Sequence, residues 1–464
     1  MSASQKGIVV AAAALALLGG GLAIGLLVGG SEDGGPAASS GSTSISQPTA
    51  AQLAAAGLDI PVAPKSVRVD LTLPRFSNPT KVTNPLFPIS GQRSAILAGR
   101  VDDKPFKVEI TLLPQTRIVE WRGRQIETLT SQFVAYSDGR IREIALDLYA
   151  QADDGSVWYL GEDVFNYEDG VIADREGTWL AGKNGPPALI MPADPKVGQV
   201  YRPENIPGLA FEEVKVKTVG KTVNGPRGPV KGAMVGEELH QDGTREDKVF
   251  APGYGEFYSA AEGDVEAMAL AIPTDKLAGP SPAELETLST GADDVFDQAR
   301  TRDWKAASAS VRRMTRAWKA LQAGEMPPRI AADMSRVLEE LVQAVAARDA
   351  ARARHAAIDV AQTGLDLQLR HRPPAEIDRA RFELWARQLV VDGTTGNEAG
   401  VRGDFATLEW VKDRFAHTLP AVEGVRVDTH LVELQTRVID GDLRGAAAEA
   451  ERLRDTLARL EPPS

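Results

Sequence analysis

The sequence contains no cysteine. That single absence excludes disulfides, thiolate nucleophiles, zinc–thiolate centres, iron–sulfur clusters and covalent c-type haem. It also excludes a bacterial lipobox, which needs an acylated Cys. Histidine is scarce, with five in 464 residues. Positive charge is in deficit too: the formal net charge is −12. Binding to nucleic acid requires a basic footprint that releases counterions from phosphates, so no nucleic-acid partner is expected. Catalytic signatures are missing as well, with no G-x-S-x-G, no H-E-x-x-H, no Walker A loop and no G-x-G-x-x-G after a strand. No catalytic residue, cofactor or metal-ligand set is read from the sequence, and an enzyme is the less favoured class.

What is present is a globular composition, 43% hydrophobic and 25% charged, in a chain long enough for two or three domains. After MSASQKG comes IVVAAAALALLGGGLAIGLLVGG, an uncharged run of 23 residues, about the length of a membrane-spanning helix. Lys6 precedes the run and Glu32 and Asp33 follow it. Positive charge stays on the cytoplasmic side, so the bulk of the chain is expected outside. The run reads as an uncleaved signal anchor over residues 1–30, or as a cleaved signal if PAASS at 36–40 is cut. Either way the chain is extracytoplasmic: a single-pass protein of the cytoplasmic membrane, or a secreted one. A Gly/Ser/Pro/Thr-rich stretch follows, and residues 31–64 are expected as a flexible linker.

Residues 65–276 read as β. KVEITLL, TRIVEWRG, IREIALDLYA and SVWYLGE alternate or run apolar over strand lengths. Asp138-Gly139, Asp154-Gly155 and Asp169-Gly170 fall between them at even spacing. Asp-Gly supplies the positive φ angles of tight hairpins, so these turns predict an antiparallel meander, curled into a half-barrel or barrel. No helical pattern interrupts the strands, which argues against a parallel α/β sheet.

From residue 277 to 464 the texture is Ala, Arg, Leu and Glu with a 3.6-residue period, as in Leu338, Leu341, Val342 and Val345. Asp303, Asp349 and Asp442 each precede an Ala-rich stretch and suit helix N-caps. Their spacing implies four helical hairpins of about 46 residues, forming a bundle or a short solenoid, with the missing cap in GNEAG at 396–400 or GDFAT at 403–407. The fold class is therefore multidomain α+β: anchor, antiparallel β-domain, then an all-α helical-hairpin domain.

Few residues stand out as a site. Trp158, Tyr159, Phe165, Tyr167 and Trp179 cluster across two of the Asp-Gly hairpins. Core packing explains most such aromatics, yet they are also what lines an apolar ligand pocket in a curved sheet. Adjacent pairs such as Glu162-Asp163 and Glu212-Glu213 are set aside as carboxylate dyads, because neighbours in a strand point to opposite faces. His355, His371, His417 and His430 lie in the helical part without metal-ligand spacing. In the helix around residue 385, Arg381 or Arg387 reads as an ion-pair partner for a neighbouring helix.

RFSNPTKVTNPLFPISG, followed by SVWYLGEDVFNYEDG, EGTWLAGKNGPPALIMPADPKVGQVYRPE and APGYGEF, resembles an uncharacterised bacterial extracytoplasmic β-domain family over roughly residues 75–260. The resemblance implies address and fold and brings no activity. Its proline-rich lead-in can be neither helix nor central strand. Residues 75–89 are expected to lie along an open end or edge of the sheet, burying Phe76, Leu86 and Phe87.

The function these readings support is a membrane-anchored binding or scaffolding protein of the bacterial envelope. Its β-domain would hold an apolar ligand and its helical domain an envelope protein partner. The alternative is an envelope metal-binding protein or a carboxylate- and His-dependent enzyme.

Overall fold

The computed structural model describes residues 44–460 apart from Glu262. The expected anchor over residues 1–30 and the start of the linker lie outside the described residues. Among these, no helix is long and apolar enough to cross a membrane. From Ser44 the linker segment is folded rather than free. Ser44 bridges to Thr72, Ala50–Ala55 forms a short helix (α1) capped by Thr49, and Ile45 and Leu53 are buried. Two buried apolar side chains and hydrogen bonds from Arg122, Arg202 and Asn205 to residues 44–47 tie down a stretch whose composition otherwise reads as tether.

A large antiparallel sheet follows. Its strands are Ser94–Val101 (β1), Lys104–Trp121 (β2), Arg124–Ser137 (β3), Arg140–Gln151 (β4), Val157–Glu168 (β5), Val171–Asp174 (β6), Trp179–Leu180 (β7), Ala188–Met191 (β8), Val200–Ile206 (β9), Ala210–Gly225 (β10), Gly228–His240 (β11), Arg245–Ala251 (β12), Gly255–Ala261 (β13) and Asp264–Ile272 (β14). The order is β6-β5-β4-β3-β2-β1-β14-β13-β12-β11-β10-β9, with β7 and β8 pairing β5. Two meanders, β1–β6 and β9–β14, are thus joined along β1 and β14. Asp138-Gly139 and Asp169-Gly170 both take positive φ, as tight hairpins with right-handed twist require.

The lead-in at 75–89 lies across the sheet mouth. The Asn84 side chain donates to the carbonyls of Gly155 and Pro192. Leu86 is buried, and Phe76 and Phe87 are half-buried against the core that holds Tyr149, Tyr159 and Trp179. The Phe87 ring meets Tyr149 edge-on at 4.9 Å. The prolines prevent the segment from pairing as a regular strand, so its polar groups are met by side chains and loop carbonyls instead.

The helical domain comprises Ala283–Arg300 (α2), Trp304–Leu321 (α3), Pro328–Ala347 (α4), Ala350–Gln368 (α5), Pro374–Thr395 (α6), Glu398–Phe415 (α7), Ala421–Ile439 (α8) and Leu443–Leu457 (α9). The second helix of each hairpin starts at a side-chain N-cap: Asp303, Asp349, Asn397 and Asp442. Asn397 is the missing member, in GNEAG. The first helix of each hairpin starts after a proline, at Pro282, Pro327, Pro373 and Pro420, the second half of a repeat of which only the Asp half is evident at first reading. Helices α2–α5 share one apolar core and α6–α9 another, and α2 packs on α5 as α6 does on α9.

These helices lie on one face of the sheet. Ile96, Ala98, Leu270 and Ile272 join the α2–α5 core. Tyr136 stacks on Trp385 at 5.5 Å, and Phe165 meets Trp410 at 4.8 Å. Gly170 permits the closest approach, because a Cβ there would sit 2.3 Å from the Gly403 nitrogen. Between the layers runs a buried ion network. Glu109 on β2 takes Arg414 at 2.6 Å, Lys107 at 3.0 Å and Arg381 at 3.4 Å. Arg381 also holds Asp366 and Asp378. The expected Arg381 ion pair is therefore present, and it reaches the sheet as well as helix α5. A second network joins Arg140 to Asp392 and Asp404, with His355 on Asp392.

Candidate functional site: an acidic interior

Alternation along the strands places residues two apart on the same face. On β11 this pairs Glu238 with His240, and on β12 Glu246 with Lys248. Register brings them together, since Glu238 lies opposite Glu246 and His240 lies opposite Glu212 on β10. His240 Nδ1 is 3.1 Å from Glu212, and its Nε2 is 3.5 Å from Glu246 and 4.0 Å from Glu238. Lys248 Nζ contacts Glu238 at 2.5 Å and Glu246 at 3.6 Å. Ser259 Oγ donates to Glu246 at 2.7 Å. Glu212, Glu238 and His240 each offer one ligand atom, and those atoms all lie within 4.8 Å of one another.

The opposite wall adds further acids. Tyr159 donates to Asp147 at 2.7 Å, stacks on Tyr149 at 4.7 Å and meets Trp179 edge-on at 5.3 Å. Glu162 on β5 is buried against Glu204 on β9, so strands near the two ends of the sheet order face each other. Neither oxygen of Glu162 has a hydrogen-bond partner among the described residues, nor has Glu204 Oε2. Two small cavities remain inside, of about 70 and 50 Å³. Phe87, Tyr149 and Glu256 line both. Each is large enough for a water or an ion, since about 10–15 Å³ suffices for one water, and both fall far short of the roughly 300 Å³ where small-molecule pockets begin.

Carboxylates outnumber cations here, and their protonation follows. Burial, and then repulsion from Glu204, pushes Glu162 well above the carboxylate range. Burial and Glu212 raise Glu204 to about 8. Burial raises Asp147 to about 7 despite its Tyr159 hydrogen bond. Glu238 and Glu266 are also pushed well up, first by burial. His240 goes the other way: burial opposes its charge, but hydrogen bonds to Glu212 and Glu246 outweigh burial and push it up to about 11. Burial likewise opposes the charge on Lys248, which its acidic neighbours, Glu238 foremost, hold. The interior thus carries two fixed cations and an excess of carboxyls that keep protons at neutral pH.

Of the five aromatics expected at a site, only Tyr159 and Trp179 meet. Tyr159 and Trp179 face this interior beside Asp147 and Glu204. Trp158, one residue before Tyr159, is buried with its Nε1 donating to Ser156. Phe165 packs on α7 under the Arg175 guanidinium, and Tyr167 Oη accepts from Trp410 Nε1 at 2.8 Å. Tyr159, Phe165 and Tyr167 would share a face in a regular strand, but a register shift between β4 and β5 from Tyr159 to Glu162 turns β5 over, so closeness in sequence did not mean one pocket. Glu162 and Glu212 belong to the interior, each without its sequence neighbour: Asp163 pairs with Arg117 and Glu213 with Arg202. The helical-domain histidines do not gather: His355 sits on Asp392 and His430 on Glu449. The one signal for the interior was the polar Glu-x-His and Glu-x-Lys spacing inside two strands. Comparison with family models and with curated proteins finds no match to this chain.

Proposed function

We propose that this chain is an extracytoplasmic binding protein of a bacterial envelope, held at the cytoplasmic membrane by residues 1–30. Its β-domain, a sheet curled into a half-barrel, binds a divalent metal cation, and its helical domain braces the outside of that sheet. The observation that carries this reading is the convergence of Glu212, Glu238 and His240 in a buried interior with too many carboxyls. Two carboxylates and an imidazole suit Zn²⁺ or Mn²⁺ better than the all-oxygen sites favoured by Ca²⁺. Glu162 and Glu204, two buried acids set against each other, are a second place where the interior holds protons in place of cations. An imidazole must be neutral to bind a metal, so uptake releases the His240 proton. An apolar ligand is less well supported, because the cavities are small and acid-lined.

A second reading has one observation behind it: His240 and Lys248 already neutralise their partners. In that case the cluster is an internal ion network and the protein is a scaffold whose helical domain holds an envelope partner. Native mass spectrometry of the full chain in detergent, titrated with Zn²⁺ and with Mn²⁺, separates the two. One bound equivalent, lost in Glu212→Gln and His240→Gln and accompanied by proton release, supports the metal reading. A metal-free mass at every concentration leaves the scaffold.

A further inference from the structure

Among the described residues, every large apolar side chain that an α-helix of this chain leaves exposed lies on α8. Val422, Val425, Val432 and Ile439 are 61–77% exposed, while Val427, Leu431 and Leu434 face the α6–α9 core. With Thr429 and Thr436, both exposed, the outer residues form a stripe at alternating steps of three and four. That is the period of a helix which buries a seam against another helix, and nothing in the described chain covers it.

We propose that the stripe pairs with α8 of a second copy of this chain, antiparallel about a two-fold axis between His430 and Leu431. The pattern is self-complementary in that direction. Val422 meets the partner's Ile439, Val425 meets the partner's Thr436, and Thr429 meets the partner's Val432, so each of the six layers holds at least one aliphatic side chain. A parallel pair would stack Thr429 on the partner's Thr429 and Thr436 on the partner's Thr436, leaving two layers without one. Charge gives the same answer. Antiparallel pairing sets the exposed Arg426 beside the partner's Glu433, twice over, whereas a parallel pair sets Asp428 beside the partner's Glu433. The surface then continues past Val432 into an open groove of about 490 Å³ that reaches Ile172 and Trp410.

Because the chain lacks cysteine, single introduced thiols report this geometry cleanly. Thr429→Cys and Val432→Cys chains, one of them tagged, are mixed at equal concentration as full chains and oxidised mildly. About half of the protein, the share that random assortment of the two chains places in mixed pairs, is expected to shift to a species of doubled mass that reductant reverses. Val422→Cys alone is the control, since antiparallel pairing holds the two copies of that residue about 26 Å apart along the helix axis. It should remain at single mass. A mixture that stays at single mass, or a Val422→Cys chain that cross-links as fully as the mixture, overturns the proposal.

Discussion

Two buried sets of charges in this molecule differ in how far burial wins: between the layers it lifts Asp378 while Glu109 is held down. Inside the sheet it lifts most acids while Glu212 and Glu246, beside His240 and Lys248, are held down. Between the sheet and the helices, Lys107, Arg381 and Arg414 face Glu109, Asp366 and Asp378, and the set is balanced. Burial alone would lift Glu109, but Arg381, Lys107 and Arg414 hold it well below the usual carboxylate range. Inside the sheet, two cations serve a larger number of acids, and burial wins at Asp147, Glu162, Glu204 and Glu238. The difference is one of stoichiometry, because a buried carboxylate stays charged only where enough positive charge was buried with it.

The comparison breaks most visibly at the interface. Arg414→Leu removes one of the three cations that hold Glu109, together with the donor to Gln132 Oε1, and should cost about 3–5 kcal/mol in denaturant unfolding. A cost below about 1 kcal/mol would mean that water already reaches the network. The next effect concerns pH. Asp147 titrates near 7 in the fold and near 4 when unfolded. Its contribution is therefore fully present below pH 4 and lost as pH rises through 7, up to about 4 kcal/mol. Glu109 has the reverse sign, with stability present above its unfolded pKa and lost in acid. Melting temperature should accordingly rise from pH 8 to pH 5 and fall below pH 4, and Asp147→Asn should make the upper limb shallower while leaving the acid limb unchanged.

Phe87→Ala tests whether the proline-rich lead-in seals the interior. The half-buried ring should cost about 2–3 kcal/mol. Admitting water should also bring the Asp147 titration back towards its ordinary range, as read by the pH dependence of the melting temperature. Unchanged stability would place that segment on the surface. The smallest effect is at a repeat position. Asp349→Ala removes the N-cap of α5, whose side chain accepts from Arg352, and should cost about 1 kcal/mol by denaturation, with no change in the pH limbs.

Much of the architecture was legible before the fold. The Asp-Gly turns announced the meander, because positive φ at two successive residues is a local demand that few residue types meet. The Asp caps announced the helical hairpins, because capping a free N–H is settled within four residues. The proline-rich segment was legible as an edge, since proline forbids what a central strand needs. The acidic interior was not legible in the same way. Glu212 and Glu213 differ by one position in sequence and by a whole face in the sheet. Which of them meets His240 depends on the register between β10 and β11, to which no single strand holds the key.

By itself, then, the sequence determined the turns, the caps, the succession of strands and helices and the excess of negative charge, all consequences of local backbone preference and composition. Only the tertiary structure decided that Glu212, Glu238 and His240 converge, that Arg381 and Arg414 bind the helices to Glu109, and that α8 keeps an apolar stripe uncovered. Those outcomes depend on contacts between residues 20 to 300 positions apart. The energy that selects them, burial set against pairing of charge, exists only once the sheet has curled and the helices have docked on it.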